Sequence, residues 1–383
     1  MKKQDILFIV TVVVLILFFA SLSFSIFSKS GNLNLQNEKV KVPAPKMVEK
    51  IIPESLKWIR SVSASTPTST STSTSTQGFE KRDSHAVFVF DNKLWVTGGL
   101  DSDNSKNGGV PDYEKAIYYN DIWNTSDGLN WTRVKEHADY PPVRSSSIIY
   151  FKNALYMIGG WSPNDGLEYK NGIWKSTDGV NWTKVVKTPE YKDREGQKVM
   201  EFNGKLWMMG GVDYFKRITY NDVWYSDDAM HWILATSSAP WHSRWDHDVG
   251  IMDGKLWLCG GMNFNGVGYG DEWSSEDGIN WELVSELAPW GKRQGQGVVN
   301  YGNYLWLISG LDSMTNEGKG DAWFSPDGVN WTKAADDSQW LGREDHGVIV
   351  FNNKIWVLGG MDSAWHWNND IWYSDFLSTS TRI

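Results

Sequence analysis

The sequence predicts an all-β fold, one six-bladed β-propeller, with a single transmembrane helix before it. Three observations predict the propeller. Gly-Gly recurs at 98–99, 159–160, 210–211, 260–261 and 359–360, with Ser309-Gly310 as a variant. An arginine precedes each pair: Arg82, Arg144, Arg194, Arg244, Arg293 and Arg343. The arginines are 62, 50, 50, 49 and 50 residues apart, and a period of about 50 residues is that of a propeller blade.

Taken from the N-terminus, the chain first offers a candidate anchor. Residues 6–27 are 22 nearly all apolar residues without a charge, enough to cross a hydrocarbon core of about 30 Å as a helix. Lys2 and Lys3 hold the N-terminus in the cytoplasm. A cleaved signal peptide ending near Ser21 or Ser23 is the alternative. Both readings export the remainder of the chain, and domain boundaries fall at 1–27 (cytoplasmic end and signal anchor), 28–53 (polar stalk) and 54–383 (propeller). A Ser/Thr-rich insert at 63–77 cannot bury a core.

Each repeat reads as four short strands. Strand A comes after the arginine, as at 85–90. Strand B is apolar and ends at the glycines, as at 94–99. Strand C ends at Trp123, Trp174, Trp224, Trp273, Trp323 or Trp372, after an Asp-x-Trp or its variant. A tight Asp-Gly turn comes next, of the hairpin kind with positive φ at both central residues. Strand D begins at Trp131, Trp182, Trp232, Trp281 or Trp331. The sixth repeat stops at Asp375, before its strand-D Trp. Residues 54–60 resemble 127–133, so Trp58 supplies an N-terminal strand D that closes the ring and removes open sheet edges.

These residues resemble the Kelch family, over about 330 of the 383 residues. The resemblance implies a propeller of four-stranded blades around a central channel. Galactose oxidase also carries such repeats, but its copper site uses a Cys-linked Tyr. The one cysteine here, Cys259, lies in an apolar B strand and reads as a buried, inert thiol.

Composition narrows the function. A net charge of −9 argues against nucleic acid, whose phosphates need a basic surface. No cofactor and no metal are expected, and the propeller reads as monomeric. Alternation of strand direction puts the D–A and B–C loops on one face and the short A–B and C–D turns on the other. The longer, varied loops make the first face the working one.

Of 24 tryptophans, 17 are locked to strand positions. The other seven, Trp161, Trp241, Trp245, Trp290, Trp340, Trp365 and Trp367, fall in D–A or B–C segments. Trp241, Trp290 and Trp340 stand three residues before the repeat arginine, as do Tyr191 and Phe79, with Tyr140 one residue off. An aromatic ring around the channel mouth is expected, either to stack on sugars or anchor a partner, or only to shield the blade tops.

The arginines either hold loop carbonyls or bind a carboxylate bidentately. The resemblance implies contact with acidic peptides at this position in some relatives. Three residues after each arginine come His85, Ser147, Gln197, His247, Gln296 and His346, expected to line the channel. Neighbouring acids are Asp83, Glu195, Asp246, Glu344 and Asp345. A histidine ring suggests metal or acid–base chemistry, although only blades 6 and 1 place two histidines, His346 and His85, side by side. A polar, water-filled channel is the plainer reading. The turn at 176–182 is similar to the Asp box of sialidases but departs from it by one residue. The sequons at Asn130, Asn181 and Asn330 read as by-products of the repeat.

Two functions are consistent with these features. One is a membrane-tethered binding module whose aromatic and Arg-rich face holds a glycan, an acidic peptide or a protein. The other is an enzyme similar to the exported six-bladed proteins that interconvert sialic acid anomers. That resemblance implies acid–base residues among Glu195, Asp246, Glu344 and Asp345 with His247 or His346.

Overall fold

A computed structural model describes residues 47–61, 78–102, 112–113, 115–166, 172–312, 314–335 and 340–382. The expected anchor at 6–27 and the insert at 63–77 lie outside these residues. Among the described residues no helix is long and apolar enough to cross a membrane. The end of the expected stalk is regular structure: Met47–Ile51 is a strand paired with Ser378–Arg382, followed by a 3-10 turn at Pro53–Ser55.

Residues Glu49–Ser380 form a compact unit containing six four-stranded antiparallel sheets. The innermost A strands are Ala86–Phe90, Ser147–Phe151, Lys198–Phe202, Asp248–Met252, Gly297–Tyr301 and Gly347–Phe351. Each packs against the next and the sixth against the first, which closes the circle. Blade 6 takes its outer strand from the N-terminal side. Lys57–Arg60 pairs with Ile371–Asp375 in the register Trp58 to Ser374 and Arg60 to Trp372. The expected closure by Trp58 is therefore present.

The core lies between blades. Six of its clusters each draw apolar residues from two neighbouring blades. Strand B is the most buried, as in Lys93–Thr97 and Lys205–Met209. Such a strand has both faces covered, which is why it reads as a continuous apolar run rather than an alternation.

The turns reverse one expectation. Two adjacent positive-φ residues occur at the A–B turns, as at Asp91-Asn92 and Asn352-Asn353, and this is the tight hairpin geometry. The C–D turns need only one, at Gly128, Gly179, Gly278 and Gly328 and, in blade 3, at Ala229. There the Asp folds back instead: Asp127 Oδ1 accepts from the amides of Leu129 and Asn130, each at 2.8 Å. Its Oδ2 accepts from the Asn130 side chain at 2.7 Å. Asn181 and Asn330 bind Asp178 and Asp327 the same way, so the sequon asparagines serve the turn. The glycine also allows close approach. A Cβ on Gly128 would lie 2.0 Å from the Trp356 ring of blade 6. Strand-B tryptophans thus press on the turn of the next blade.

Candidate functional site

Five of the six arginines are structural. Arg82, Arg194, Arg244, Arg293 and Arg343 are buried, and each forks onto the aspartate that opens strand C of its own blade. Arg244 donates to Asp271 at 2.6 and 2.7 Å and to the Gly260 carbonyl at 2.7 Å. The strand-C tryptophan completes the clamp, as Trp273 Nε1 donates to Asp271 at 2.8 Å. These guanidiniums have no free edge for an acidic ligand, which corrects that expectation for all five.

Arg144 is different, because blade 2 is out of register by one residue. Gly99 N donates to the Val143 carbonyl at 2.8 Å, just as Gly211 N donates to Arg244 and Gly261 N to Arg293. Val143 therefore holds the structural arginine's place. Its clamp aspartate is missing too, since Gly172 stands where the other blades have Asp121, Asp222, Asp271, Asp321 and Asp370. Tyr140, one residue off against Arg144, falls into step against Val143. Both departures were visible in the sequence and point to the same shift.

The shift moves Arg144 into a ring of equivalent positions. Asp83, Arg144, Glu195, Trp245, Gln294 and Glu344 each form a backbone bridge to the residue after their blade's glycine pair: Leu100, Trp161, Val212, Met262, Leu311 and Met361. One residue further in come Ser84, Ser145, Gly196, Asp246, Gly295 and Asp345, all with positive φ. Their amides each donate to the carbonyl of the preceding blade's member, at 2.8 to 3.4 Å, and Ser84 N closes the circle onto Asp345 O at 2.9 Å. This hydrogen-bonded girdle borders two cavities.

The inner cavity, about 230 Å³, is the channel, lined by His85, Gln197, His247, Gln296 and His346. Burial, then the neighbouring Arg82 and His346 charges, holds the His85 imidazole down at about 3. Burial first, then a nearby arginine, does the same for His247 and His346. All three rings are neutral near pH 7. The glycine pairs make room for this layer: a Cβ on Gly210 would lie 2.7 Å from His247, and one on Gly359 3.0 Å from His85. Among the described residues no set of three or more His, Cys, Asp or Glu is arranged to hold a metal ion. The expected pairing of these histidines with channel-mouth acids is divided. Glu195 and Glu344 line only the outer cavity, His247 and His346 only the inner one, and Asp246 and Asp345 border both.

The outer cavity, about 470 Å³, opens on the D–A and B–C loop face. Its floor carries Asp83, Glu195, Asp246, Glu344 and Asp345. Arg144 forks onto Glu195, with Nε to Oε2 at 2.7 Å and Nη2 to Oε1 at 3.0 Å. Trp161 backs its guanidinium at 4.9 Å, and Tyr113 and Tyr214 flank it at 5.7 Å. The remaining acids crowd one another. Burial, then the Asp345 and Glu344 charges, raises Asp83 well above the carboxylate range. Burial, then Asp345, pushes Glu344 to about 8, and burial pushes Asp345 to about 6. Asp246 is raised by burial and then by Asp345, Glu344 and Glu195. The floor is an acidic cluster that holds protons when nothing else neutralises it.

The expected aromatic ring is not at the mouth. Trp241, Trp290 and Trp340 are 1%, 2% and 6% exposed. With Tyr140, Tyr191 and Phe79 they wedge between blades, edge-on to a tryptophan of the next one, as Trp241 to Trp281 at 6.2 Å and 85°. Trp367 is buried with Leu100 and Met361. Of the seven loop tryptophans, Trp245 and Trp365 line the cavity. Tyr113, Tyr214, Arg217, Phe264 and Gln294 also line it, and the sequence did not single them out. The first four sit in irregular B–C segments without a repeat signal. Gln294 was readable as the neighbour of Arg293.

No protein-family model matches the chain. Two curated proteins are similar over about a third of it. Kelch repeat protein M-T8 of Myxoma virus (strain Lausanne) is 28% identical over 136 residues, 36% of this chain and 24% of the viral protein. Beta-scruin of Limulus polyphemus is 30% identical over 133 residues, 34% of this chain and 13% of that protein. The matches thus span about a quarter and an eighth of those relatives. The solved structure of YjhT superposes with a TM-score of 0.61 at 15% identity, covering 80% of this chain and 99% of the other. With the blade geometry, these similarities support a six-bladed Kelch-type propeller.

Proposed function

We propose that the propeller is a binding module that takes a group presented by a partner, a protein side chain or a sugar unit, into the outer cavity. The observation that carries this reading is the cavity itself, with its polar floor on the girdle and aromatic walls at Tyr113, Tyr214, Phe264 and Trp365. Similarity to Kelch repeat proteins favours an interaction role. On this reading residues 6–27 tether the module, with the propeller on the outer side of a membrane.

The test is an array of peptides and glycans probed with the soluble fragment 47–383. Tyr214→Ala and Trp365→Ala are expected to weaken binding at least tenfold while leaving thermal unfolding in place. Failure to retain any member of either array would reject the reading.

One observation favours the enzymatic alternative. Glu344 and Asp345 lie in one cavity with affinities for protons near 8 and 6. At neutral pH one is a donor and the other an acceptor, the division that acid–base catalysis needs. Acceleration of sugar anomer exchange, followed by proton NMR, is the corresponding measurement, and an unchanged rate dismisses it.

A further inference from the structure

We propose that the outer cavity receives a cation, the ammonium or guanidinium head of a lysine or arginine side chain presented by a partner protein. The inference rests on the binding-module reading and specifies its occupant.

The first support is the balance of donors and acceptors on the floor. The six ring positions supply three carboxyl groups, Asp83, Glu195 and Glu344, and one cation, Arg144. The girdle adds Asp246 and Asp345. Arg144 is spent on Glu195. Among the described residues, none of Asp83, Asp246, Glu344 and Asp345 has an ion-pair partner. Arg217 also lines the cavity, with its guanidinium 5.4 Å from the Phe264 ring.

The second support is independent of charge. Asp83 and Gln294 are 3% and 8% exposed and both line the cavity. Asp83 Oδ1 and Gln294 Oε1 accept no hydrogen bond from the described residues. The Gln294 amide nitrogen is already committed to Glu344 Oε2 at 2.7 Å, so its oxygen is the atom left over. Both orphaned atoms are acceptors, and buried polar groups are ordinarily paired. An occupant must therefore bring donors. An ammonium brings three and a guanidinium five, with no acceptor on either.

The walls fit the same chemistry. Tyr214, Phe264 and Trp365 line the cavity, and aromatic rings attract a cation. The fold already makes this contact around the cavity, with Arg144 over Trp161, Tyr113 and Tyr214 and Arg217 over Phe264. An anionic group would meet five carboxyls. A metal ion is the wrong guest, since the described acids are not arranged as a ligand set.

Binding is also linked to protons. The groups facing the guest are Asp83, Glu195, Asp246, Gln294, Glu344 and Asp345, with Arg144, Arg217 and Tyr113 beside them. The arriving cation displaces the proton held by Glu344 and, below about pH 6, the one held by Asp345. Affinity is then expected to rise from pH 5 to pH 8.

The experiment is calorimetric titration of the full chain in mild detergent. The probe is an acetylated, amidated tripeptide carrying arginine. Its controls carry citrulline, the neutral isostere, or glutamate, with N-acetylglucosamine and calcium ion as further arms. At pH 7.5 the arginine peptide is expected to bind at least tenfold tighter than the citrulline peptide and to release protons. Asp83→Asn is expected to weaken it about tenfold. If that variant unfolds, Gln294→Met, which removes the Oε1 acceptor together with the amide that donates to Glu344, is expected to weaken it several-fold. Equal binding of the citrulline peptide overturns the proposal. Binding of the saccharide, the glutamate peptide or calcium in place of the arginine peptide also overturns it, while leaving the binding-module reading standing. No binding by any probe, together with an empty array, rejects both.

Discussion

Trp290 illustrates how a repeat position is read at the scale of a residue. Its place three residues before Arg293 suggested a loop aromatic at the channel mouth. In the fold it is 2% exposed and sits edge-on to Trp331 at 6.4 Å. It fills the seam between two blades beside Trp257, Leu305 and Leu307. Truncation there leaves a cavity rather than an empty binding site. Trp290→Ala is expected to cost about 3–5 kcal/mol in chemical denaturation while leaving binding at the outer cavity within about twofold. A variant with wild-type stability and lost binding would refute the wedge. Arg144 is the opposite case. It matched the repeat arginines in sequence yet does the work of a cavity residue, because Val143 takes the structural place.

The decisive element is the strand Lys57–Arg60. It is a short segment in an otherwise poorly patterned region, and its stability comes from tertiary partners. Trp58 is buried, 4.5 Å from Trp340, and the strand pairs with Ile371–Asp375. Without it, the outer edge of blade 6 is unpaired, and exposed edges invite association. A chain beginning at residue 78 is expected to unfold at lower denaturant and to form oligomers in sedimentation. Adding back residues 47–61 as a separate peptide should restore the monomer. A monomeric truncation with unchanged unfolding would show that blade 6 closes without this strand. The strand was legible because residues 54–60 copy the repeat's own turn-to-strand-D sequence. The B–C segments were not legible, since each has its own length and chemistry and no periodicity to place Tyr113, Tyr214 or Phe264.

For the whole molecule, buried titratable groups set a pH window. His85, His247 and His346 are depressed from 6.5 to about 3, so the folded state binds fewer protons than the unfolded chain. Their effect is a loss of stability as pH falls below about 6.5. Glu272, buried in the wall between blades 4 and 5 and bonded to Trp331 Nε1 at 2.9 Å, is pushed by burial from 4.5 to about 8. Glu344 and Asp345 are raised as well. These acids hold protons in the fold that the unfolded chain has released, so stability falls as pH rises from about 4.5 to about 8. The midpoint of thermal unfolding is expected to peak between about pH 4.5 and 6.5, and Glu272→Gln should flatten the alkaline limb. A midpoint unchanged from pH 5 to 9 would contradict this. The blade count, the closing strand and the places of the paired glycines are legible along the chain, because they arise from a periodicity that the blades repeat. The one-residue shift of blade 2 is legible there too, in Gly172 and Tyr140. Which polar residues are spent within a blade, and which are left facing the cavity, is set by the closed ring. Five arginines meet an aspartate about 27 to 39 residues away, whereas the acids of the floor meet only across six blades. Such convergence depends on how the ring closes, and no local spacing records it.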